Sequence, residues 1–141
     1  MGANDVGESP TIRVTAILVL DDAGRLLLVR KRGTSAFMQP GGKPEPGEGP
    51  LETGRREVAE ELGVTLSADR LRPLGRFSET AANEAGHVVV SDAFAVTLTA
   101  EEVAAVRPAA EIAEAVWVSL DQARDLPLAP LTRTHFLPLA G

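Results

Sequence analysis

The stretch from Gly42 to Val64, GKPEPGEGPLETGRREVAEELGV, decides how the rest of the chain must be organised. Its first residues are rich in glycine and proline, which predicts a loop. A helix is expected to follow, because Gly49 can cap it, Pro50 suits the first helical position and Gly63 suits a left-handed residue after the last turn. Three aliphatic side chains recur at helical spacing and are expected to face a core: Leu51, Val58 and Leu62.

The predicted helix also concentrates negative charge. Glu57, Glu60 and Glu61 are three and four residues apart, so their carboxylates are expected to project from a second face. They repel one another, and they lie in the C-terminal half of the helix, where its dipole disfavours negative charge. A hard cation such as Mg²⁺, which binds carboxylates, water and phosphate, would offset this cost. A solvated acidic helix face is the alternative.

The spacing of these residues resembles the Nudix box, G-x5-E-x7-R-E-U-x-E-E-x-G-U, where U is a bulky aliphatic residue. Every fixed position matches, from Gly42 through Glu48 and Arg56 to Val64. The resemblance implies an α/β/α sandwich built on a mixed β-sheet. It also implies an enzyme that hydrolyses a nucleoside diphosphate linked to another group, with Mg²⁺ as its cofactor and Mn²⁺ as a substitute.

The same resemblance assigns roles within the box. Glu60 and Glu61 are similar to direct metal ligands, and Glu57 to a further ligand that orients or deprotonates the attacking water. The carbonyl oxygen of Gly41 is similar to an added oxygen ligand. Arg56 completes the catalytic set, because it is expected to hold Glu57 through a charge-assisted hydrogen bond.

Glu48 and Lys43 each have two possible roles in the glycine-rich loop. Glu48 is expected either to brace the loop against the helix or to lie in the outer shell of the metal. Lys43 is expected either to contact substrate phosphate or to pair with a glutamate of the box.

Family members often add a carboxylate from outside the box. Glu111 is the leading candidate, because Glu-Ile shortly before a tryptophan resembles that region in relatives. Glu114 and Glu84 follow. A solvated strand edge is the alternative interpretation of Glu111 and Glu114.

Substrate recognition is less clearly encoded. Arg32 is predicted to contact phosphate, together with the neighbouring Lys31 and Arg30, and a solvated basic end is the alternative. Phe37 lies close to the glycine-rich loop and is a candidate to stack on a base, although an aromatic residue in such a strand often belongs to a core.

Composition narrows the class of protein. The chain has 141 residues, 44% hydrophobic and 24% charged, which fits a single globular domain. The net charge of −6 disfavours a large nucleic-acid partner, which would require a basic face. We expect a small nucleotide partner, no membrane partner and a cytoplasmic location, and the resemblance makes a homodimer the expected assembly. Because there is no cysteine, thiolate ligands and nucleophiles are excluded.

The remaining pattern predicts a flexible segment over residues 1–10 and one domain over residues 11–141. Alternating strands and helices indicate an α/β fold. Strands are predicted at Thr11–Leu20, Arg25–Arg32, Phe37–Gln39, Leu71–Glu79, His87–Leu98 and Ile112–Val118. Beyond the box, helices are predicted from the capping residues Thr99 and Ser119 and over Leu131–Leu137.

Several subfamily markers are missing. Glu79 stands where ADP-ribose hydrolases of the family often have proline, and Thr80-Ala81 where dinucleoside polyphosphate hydrolases have tyrosine. These absences weaken those two substrate classes, and a nucleoside or deoxynucleoside triphosphate is the expected substrate. The alternatives are an ADP-ribose or nucleotide-sugar hydrolase, a nucleotide sensor without turnover, and a structural α/β protein.

Overall fold

The computed structural model describes residues 10–81 and 86–140. Of residues 1–10, which were predicted to be flexible, only Pro10 lies within these ranges. Glu84, the third candidate for an additional carboxylate, lies outside them. No helix within the described ranges has both the length and the apolar character that crossing a bilayer requires.

Within the described residues, seven strands form one mixed sheet. They are β1 (Thr11–Leu20), β2 (Leu26–Lys31), β3 (Phe37–Met38), β4 (Gly41–Gly42), β5 (Arg72–Thr80), β6 (Val88–Thr97) and β7 (Ile112–Val118). The main path through the sheet is β3-β2-β1-β6-β5, while β4 pairs with β1 and β7 pairs with β2. The pair β1 and β6 is parallel and the others are antiparallel. The predicted α/β/α fold with a mixed sheet is confirmed.

The first two strands pair only beside the turn that joins them. Their register runs through Val19↔Leu27 and Leu20↔Leu26. Farther from the turn, β1 pairs with β4 at Thr15 and Ala16, and β2 pairs with β7 and β3. Because β1 and β2 diverge, the sheet opens beside β4, and this opening lies next to the glycine-rich loop.

Both faces of the central strands are buried. In β1, Ile17 and Val19 belong to one hydrophobic cluster, and Ala16 and Leu18 belong to the other. This alternation follows from the two-residue period of a strand. The continuous apolar runs in the sequence therefore did indicate strands that are covered on both sides.

Helix α1 (Pro50–Leu62) begins and ends where the sequence predicts. The backbone N–H of Gly49 donates to Glu52 Oε1 at 2.7 Å, and Gly63 adopts a φ of 74° after the last turn. Val58 and Leu62 are buried in the cluster on one face of the sheet. Gly54 lets the helix approach β1, because a Cβ there would lie 2.6 Å from Ile17 Cδ1.

The described part of the chain also has a 3₁₀ turn over Ala68–Arg70 and three shorter α-helices: α2 (Ala100–Ala105), α3 (Leu120–Arg124) and α4 (Leu137–Ala140). The predicted capping boxes precede α2 and α3. The final helix differs from prediction, since a π-helical turn over Thr132–Phe136 runs directly into α4. Pro138 lacks an N–H and crowds the preceding turn, which disfavours regular α-helical bonding there.

The main difference from the sequence-based elements is β4. The sequence predicts a loop through Gly41 and Gly42, but both residues pair with β1. Ile17 N also donates to Pro40 O at 2.9 Å. Local glycine content predicts flexibility, whereas pairing with β1 fixes the conformation of these residues.

Candidate active site

The acidic end of α1 meets β4 and the glycine-rich loop at the opening between β1 and β2. A cavity of about 580 Å³ lies there. Five glutamates line it: Glu45 of the glycine-rich loop, Glu57, Glu60 and Glu61 of α1, and Glu111. The structure therefore brings the three acidic residues of the box together with the leading outside candidate, around one cavity.

Glu61 is the most deeply buried of these carboxylates, with only 4% of its surface exposed. Its Oε1 atom accepts a hydrogen bond from Gly41 N at 3.1 Å. Burial raises the pKa of Glu61 to about 8, an effect that the Gly41 hydrogen bond opposes and the charge of Glu57 reinforces. The three carboxylates share one cavity as expected, but the alternative of a solvated acidic face does not hold for Glu61, which turns towards β4.

Glu57 lies half-buried between Arg56 and β4. Its carboxylate packs against Gly42, where an added Cβ would collide with Glu57 Oε2. The pKa of Glu57 is raised, first by burial, while Arg56 opposes and Glu60 reinforces the shift. The first glycine of the box thus provides the space that the Glu57 carboxylate occupies.

Arg56 connects the loop to the acidic helix face. Its Nε donates to Glu48 Oε2 at 2.6 Å, and its Nη2 donates to Glu48 Oε1 at 3.0 Å. Its Nη1 donates to Glu57 Oε2 at 3.2 Å and to Glu60 Oε1 at 3.0 Å. The expected contact with Glu57 is present, but the bidentate pair with Glu48 has the shortest hydrogen bond.

Glu48 makes the contacts expected of a brace between the loop and the helix. Its Oε1 accepts hydrogen bonds from Glu45 N at 2.9 Å and from Thr53 Oγ1 at 3.0 Å. The hydrogen bond from Arg56 is the main reason why the pKa of Glu48 falls to about 2. Sequence reasoning missed Thr53, a completely buried residue. A hydroxyl on the core side of a helix, five residues after an acidic loop residue, was the available signal.

The candidates for an additional carboxylate are separated by the structure. Glu111 lines the cavity with 76% of its side chain exposed, and its Oε2 lies 3.8 Å from Lys31 Nζ. Glu114 is not among the residues lining the cavity, and its carboxylate accepts a hydrogen bond from Arg30 Nε at 2.9 Å. Of these two residues, only Glu111 is positioned beside the acidic helix.

The structure places some of the predicted phosphate-binding basic residues at the cavity and others away from it. Lys43 and Lys31 line the cavity, whereas Arg32 does not. The assignment of Arg32 to the substrate site is therefore not supported, because successive residues of an extended chain point to opposite sides and Lys31 takes the cavity side. Within residues 10–81 and 86–140, Lys43 Nζ forms no ion pair with a glutamate of the box.

Phe37 has the core role that was its alternative interpretation, and it is not positioned to stack on a base. Its ring is 7% exposed and belongs to the hydrophobic cluster on the face opposite α1. Its backbone N donates to Pro127 O at 2.8 Å, which places the residue under the C-terminal segment. The aromatic ring that does line the cavity is that of Phe136, a residue to which the sequence assigned no role.

The side chains present fit a hard divalent cation in their chemistry but are not already arranged around one. Among the described residues, no three His, Cys, Asp or Glu side chains are grouped closely enough to hold a metal ion. Arg56 restrains Glu57 and Glu60, and Gly41 N–H restrains Glu61. The side-chain donors are nonetheless all carboxylate oxygens, which Mg²⁺ and Mn²⁺ prefer, and the ionised form of buried Glu61 needs a counter-charge.

Comparison with known proteins identifies the fold family. The family model of the NUDIX domain matches residues 10–139 of this chain. Among solved structures, a MutT protein from Methanosarcina mazei Go1 is similar at 26% identity and a TM-score of 0.69, with 94% of each chain covered. The NUDIX domain of Shewanella oneidensis NrtR, solved with ADP ribose, is similar at 16% identity and a TM-score of 0.73, with 96% of this chain and 89% of that one covered.

The length of the match varies among the solved structures. This chain spans 44% of the MutT/nudix family protein from Enterococcus faecalis, with 78% of this chain covered, 23% identity and a TM-score of 0.64. No curated protein matches this sequence.

The match to the NUDIX domain model covers nearly the whole described chain and includes the box, the diverging strands and the residues that line the cavity. This chain therefore belongs to the Nudix hydrolase family.

Proposed function

We propose that this protein hydrolyses a phosphoanhydride bond in a nucleoside diphosphate linked to another group, and that its substrates are nucleoside or deoxynucleoside triphosphates. One observation carries the proposal. Arg56 holds Glu57 and Glu60 beside buried Glu61, at the wall of a cavity of about 580 Å³.

The residues divide into metal-binding and substrate-binding groups. Glu57, Glu60, Glu61 and the Gly41 carbonyl would hold Mg²⁺, or Mn²⁺ in its place, with Glu111 as the carboxylate from outside the box. Lys43 would contact the substrate phosphates, because it lines the cavity and its ammonium group pairs with no glutamate of the box in the described residues. Lys31 lines the same cavity and takes the role first assigned to Arg32.

The chemistry follows from these positions. When bound, the divalent ion supplies charge neutralisation at the phosphate oxygens and a lowered pKa for a coordinated water. The water oxygen forms a new bond to one phosphorus while the anhydride P–O bond breaks and its electrons leave with the second phosphate. Glu57 accepts the proton of the water, and Arg56 keeps the carboxylate in position through the bond at 3.2 Å.

The substrate class rests on sequence features more than on the neighbouring structures. Proline and tyrosine markers of two other Nudix subfamilies are absent at Glu79 and Thr80-Ala81. The M. mazei structure that shares 26% identity is called a MutT protein, which supports a MutT-like substrate. ADP-ribose is the second candidate, since it is bound in the NrtR structure, although similarity at 16% identity shows the fold alone.

A substrate panel tests the proposal. Release of phosphate or pyrophosphate is measured with natural and 8-oxo nucleoside triphosphates, ADP-ribose, dinucleoside polyphosphates and nucleotide sugars, each with Mg²⁺ and with Mn²⁺. We expect turnover of triphosphates that chelation by EDTA abolishes. Preferential turnover of ADP-ribose would reassign the substrate, and binding without turnover of any compound would overturn the hydrolase proposal in favour of a sensor.

Matched variants connect the activity to the acidic residues. Glu60→Gln and Glu61→Gln are each expected to lower kcat at least about a thousandfold, because each removes a charged oxygen ligand. Glu101→Gln is the control, since Glu101 is exposed on α2 and does not line the cavity. Full activity in either of the first two variants would contradict the assigned roles.

A further inference from the structure

The cavity wall contains an amide whose hydrogen bonds are incomplete. Gln39 lines the cavity, yet only 6% of its surface is exposed. Its Oε1 atom accepts a hydrogen bond of 2.8 Å from Thr132 Oγ1, whereas its Nε2 atom has no partner and is covered. Buried polar groups are nearly always paired, because an unmade hydrogen bond in the interior is costly. This amide therefore needs a functional explanation.

The position of Gln39 is fixed from both sides. It lies between β3 and β4, two residues before Gly41, whose N–H holds Glu61. Thr132 belongs to the π-helical turn that precedes α4, and its side chain is also buried. The amide thus joins the C-terminal segment to the strand that supports the acidic site.

Part of the wall of this cavity suits a flat, largely apolar group. Val14, Ala16, Leu131 and Phe136 line the same cavity. Val14 and Ala16 lie on one face of β1, because they are two residues apart in a strand. A nucleobase has apolar faces and polar edges, so it would be buried against these walls and meet a hydrogen-bonding group at its edge.

We propose that Gln39 selects the base of the nucleotide, and that it favours bases carrying a keto oxygen at the exocyclic position, O6 of a purine or O4 of a pyrimidine. The Thr132 hydroxyl already bonds to the amide oxygen, whereas both N–H groups of Nε2 are without a partner in the described part of the chain, so the amide presents chiefly a donor. That donor matches the O6 of guanine and the O4 of uracil or thymine, whereas adenine and cytosine present an amino group there. Since Nε2 is covered in the free protein, the contact requires a small movement of the wall as the base enters.

This inference rests on the proposed function, but its test does not require turnover. Binding of nucleoside 5′-monophosphates is measured by calorimetry in EDTA. We expect GMP and UMP to bind at least about tenfold more tightly than AMP and CMP, a factor that one such hydrogen bond supplies. If the protein binds these nucleotides with that preference but hydrolyses no triphosphate, only the hydrolase proposal fails. If it hydrolyses triphosphates but shows no keto preference, only the Gln39 proposal fails.

The sequence offers a matched control, because Gln39 and Gln122 are its only glutamines. Gln39→Leu and Gln39→Glu are expected to abolish the keto preference. Gln122→Leu should retain it, since Gln122 caps α3 and does not line the cavity. A keto preference that persists in folded Gln39 variants would overturn the proposal.

A second measurement avoids the possibility that a variant fails to fold. Protein labelled with ¹⁵N only at glutamine, and carrying Gln122→Leu, gives side-chain amide signals from Gln39 alone. GMP is expected to shift these signals strongly and AMP to shift them little. Signals that are insensitive to GMP at saturation, or that respond equally to both nucleotides, would show that the amide does not read the base.

Discussion

At the residue scale, Glu61 makes stability depend on pH. Its pKa in the folded protein is about 8, above the usual value of 4.5, because burial disfavours the charged form. Between these two values the folded state binds more protons than the unfolded state, so the free energy of unfolding falls as pH rises. Urea unfolding of metal-free protein from pH 5 to 9 is expected to show this decline.

The control is Glu61→Gln, which cannot ionise. Its stability should decline less between pH 5 and 8 than that of the wild type, while Glu101→Gln should follow the wild type. Identical pH profiles for wild type and Glu61→Gln would mean that the carboxylate is better solvated than its position against β4 indicates.

Two adjacent glycines are expected to respond differently to alanine. A Cβ at Gly42 meets the end of the flexible Glu57 side chain, which can move. Gly42→Ala should therefore lower kcat at least about tenfold while changing the free energy of unfolding by less than about 1 kcal/mol. Kinetic assays and urea unfolding measure the two effects. Normal kcat would show that the position of Glu57 against Gly42 is not needed.

A Cβ at Gly41 meets the backbone of β1 instead. It would collide with Thr15 O, and Gly41 has a φ of 154°. Gly41→Ala is expected to destabilise the protein by roughly 2 kcal/mol or more, because strand backbone cannot move as a side chain does. Stability equal to that of Gly42→Ala, measured by urea unfolding, would contradict the pairing of β4 with β1.

At the scale of elements, α1 depends on its buried face. Leu62 is completely buried against the sheet, so Leu62→Ala should cost roughly 2–5 kcal/mol of stability through lost burial and a residual cavity. Leu139→Ala is the control, since Leu139 is 44% exposed and should change stability by at most about 0.5 kcal/mol. Urea unfolding distinguishes them, and equal effects would mean that the helix faces are interchanged.

The elements also show where sequence patterns succeed. Helix α1 was predicted at its observed limits because Pro50 and Gly63 act locally, within one turn of each end. The role of Phe37 was not predictable in this way. Its strand is only two residues long, and its burial depends on Pro127 and the distant C-terminal segment.

At the scale of the whole molecule, divalent metal should stabilise the fold. An ion that binds the folded but not the unfolded state raises stability by RT ln(1 + [L]/Kd). Thermal unfolding is expected at a higher Tm in Mg²⁺ than in EDTA for the wild type and for Glu101→Gln. Glu60→Gln should lose most of this increase. An increase that Glu60→Gln retains in full would place the ion elsewhere.

The sequence by itself determined which residues are candidates for the chemistry of this protein. Helical spacing placed Glu57, Glu60 and Glu61 on neighbouring positions regardless of the rest of the fold, and the resemblance to the Nudix box assigned their roles and that of Arg56. The central strands followed from continuous apolar runs. These features depend on the geometry of residues that are close in sequence, so the order of residue types is enough to predict them.

Only the tertiary structure decided what surrounds that chemistry. It buried Glu61 against Gly41, placed Lys31 rather than Arg32 in the cavity, and joined Gln39 to Thr132 across 93 positions of sequence. The contacts of Glu61 and Gln39 connect parts of the chain that are far apart in sequence. The placement of Lys31 depends on which face of the sheet each residue at the end of β2 occupies. These arrangements depend on how β1 and β2 diverge and on how the C-terminal segment packs. No local sequence pattern specifies either of them.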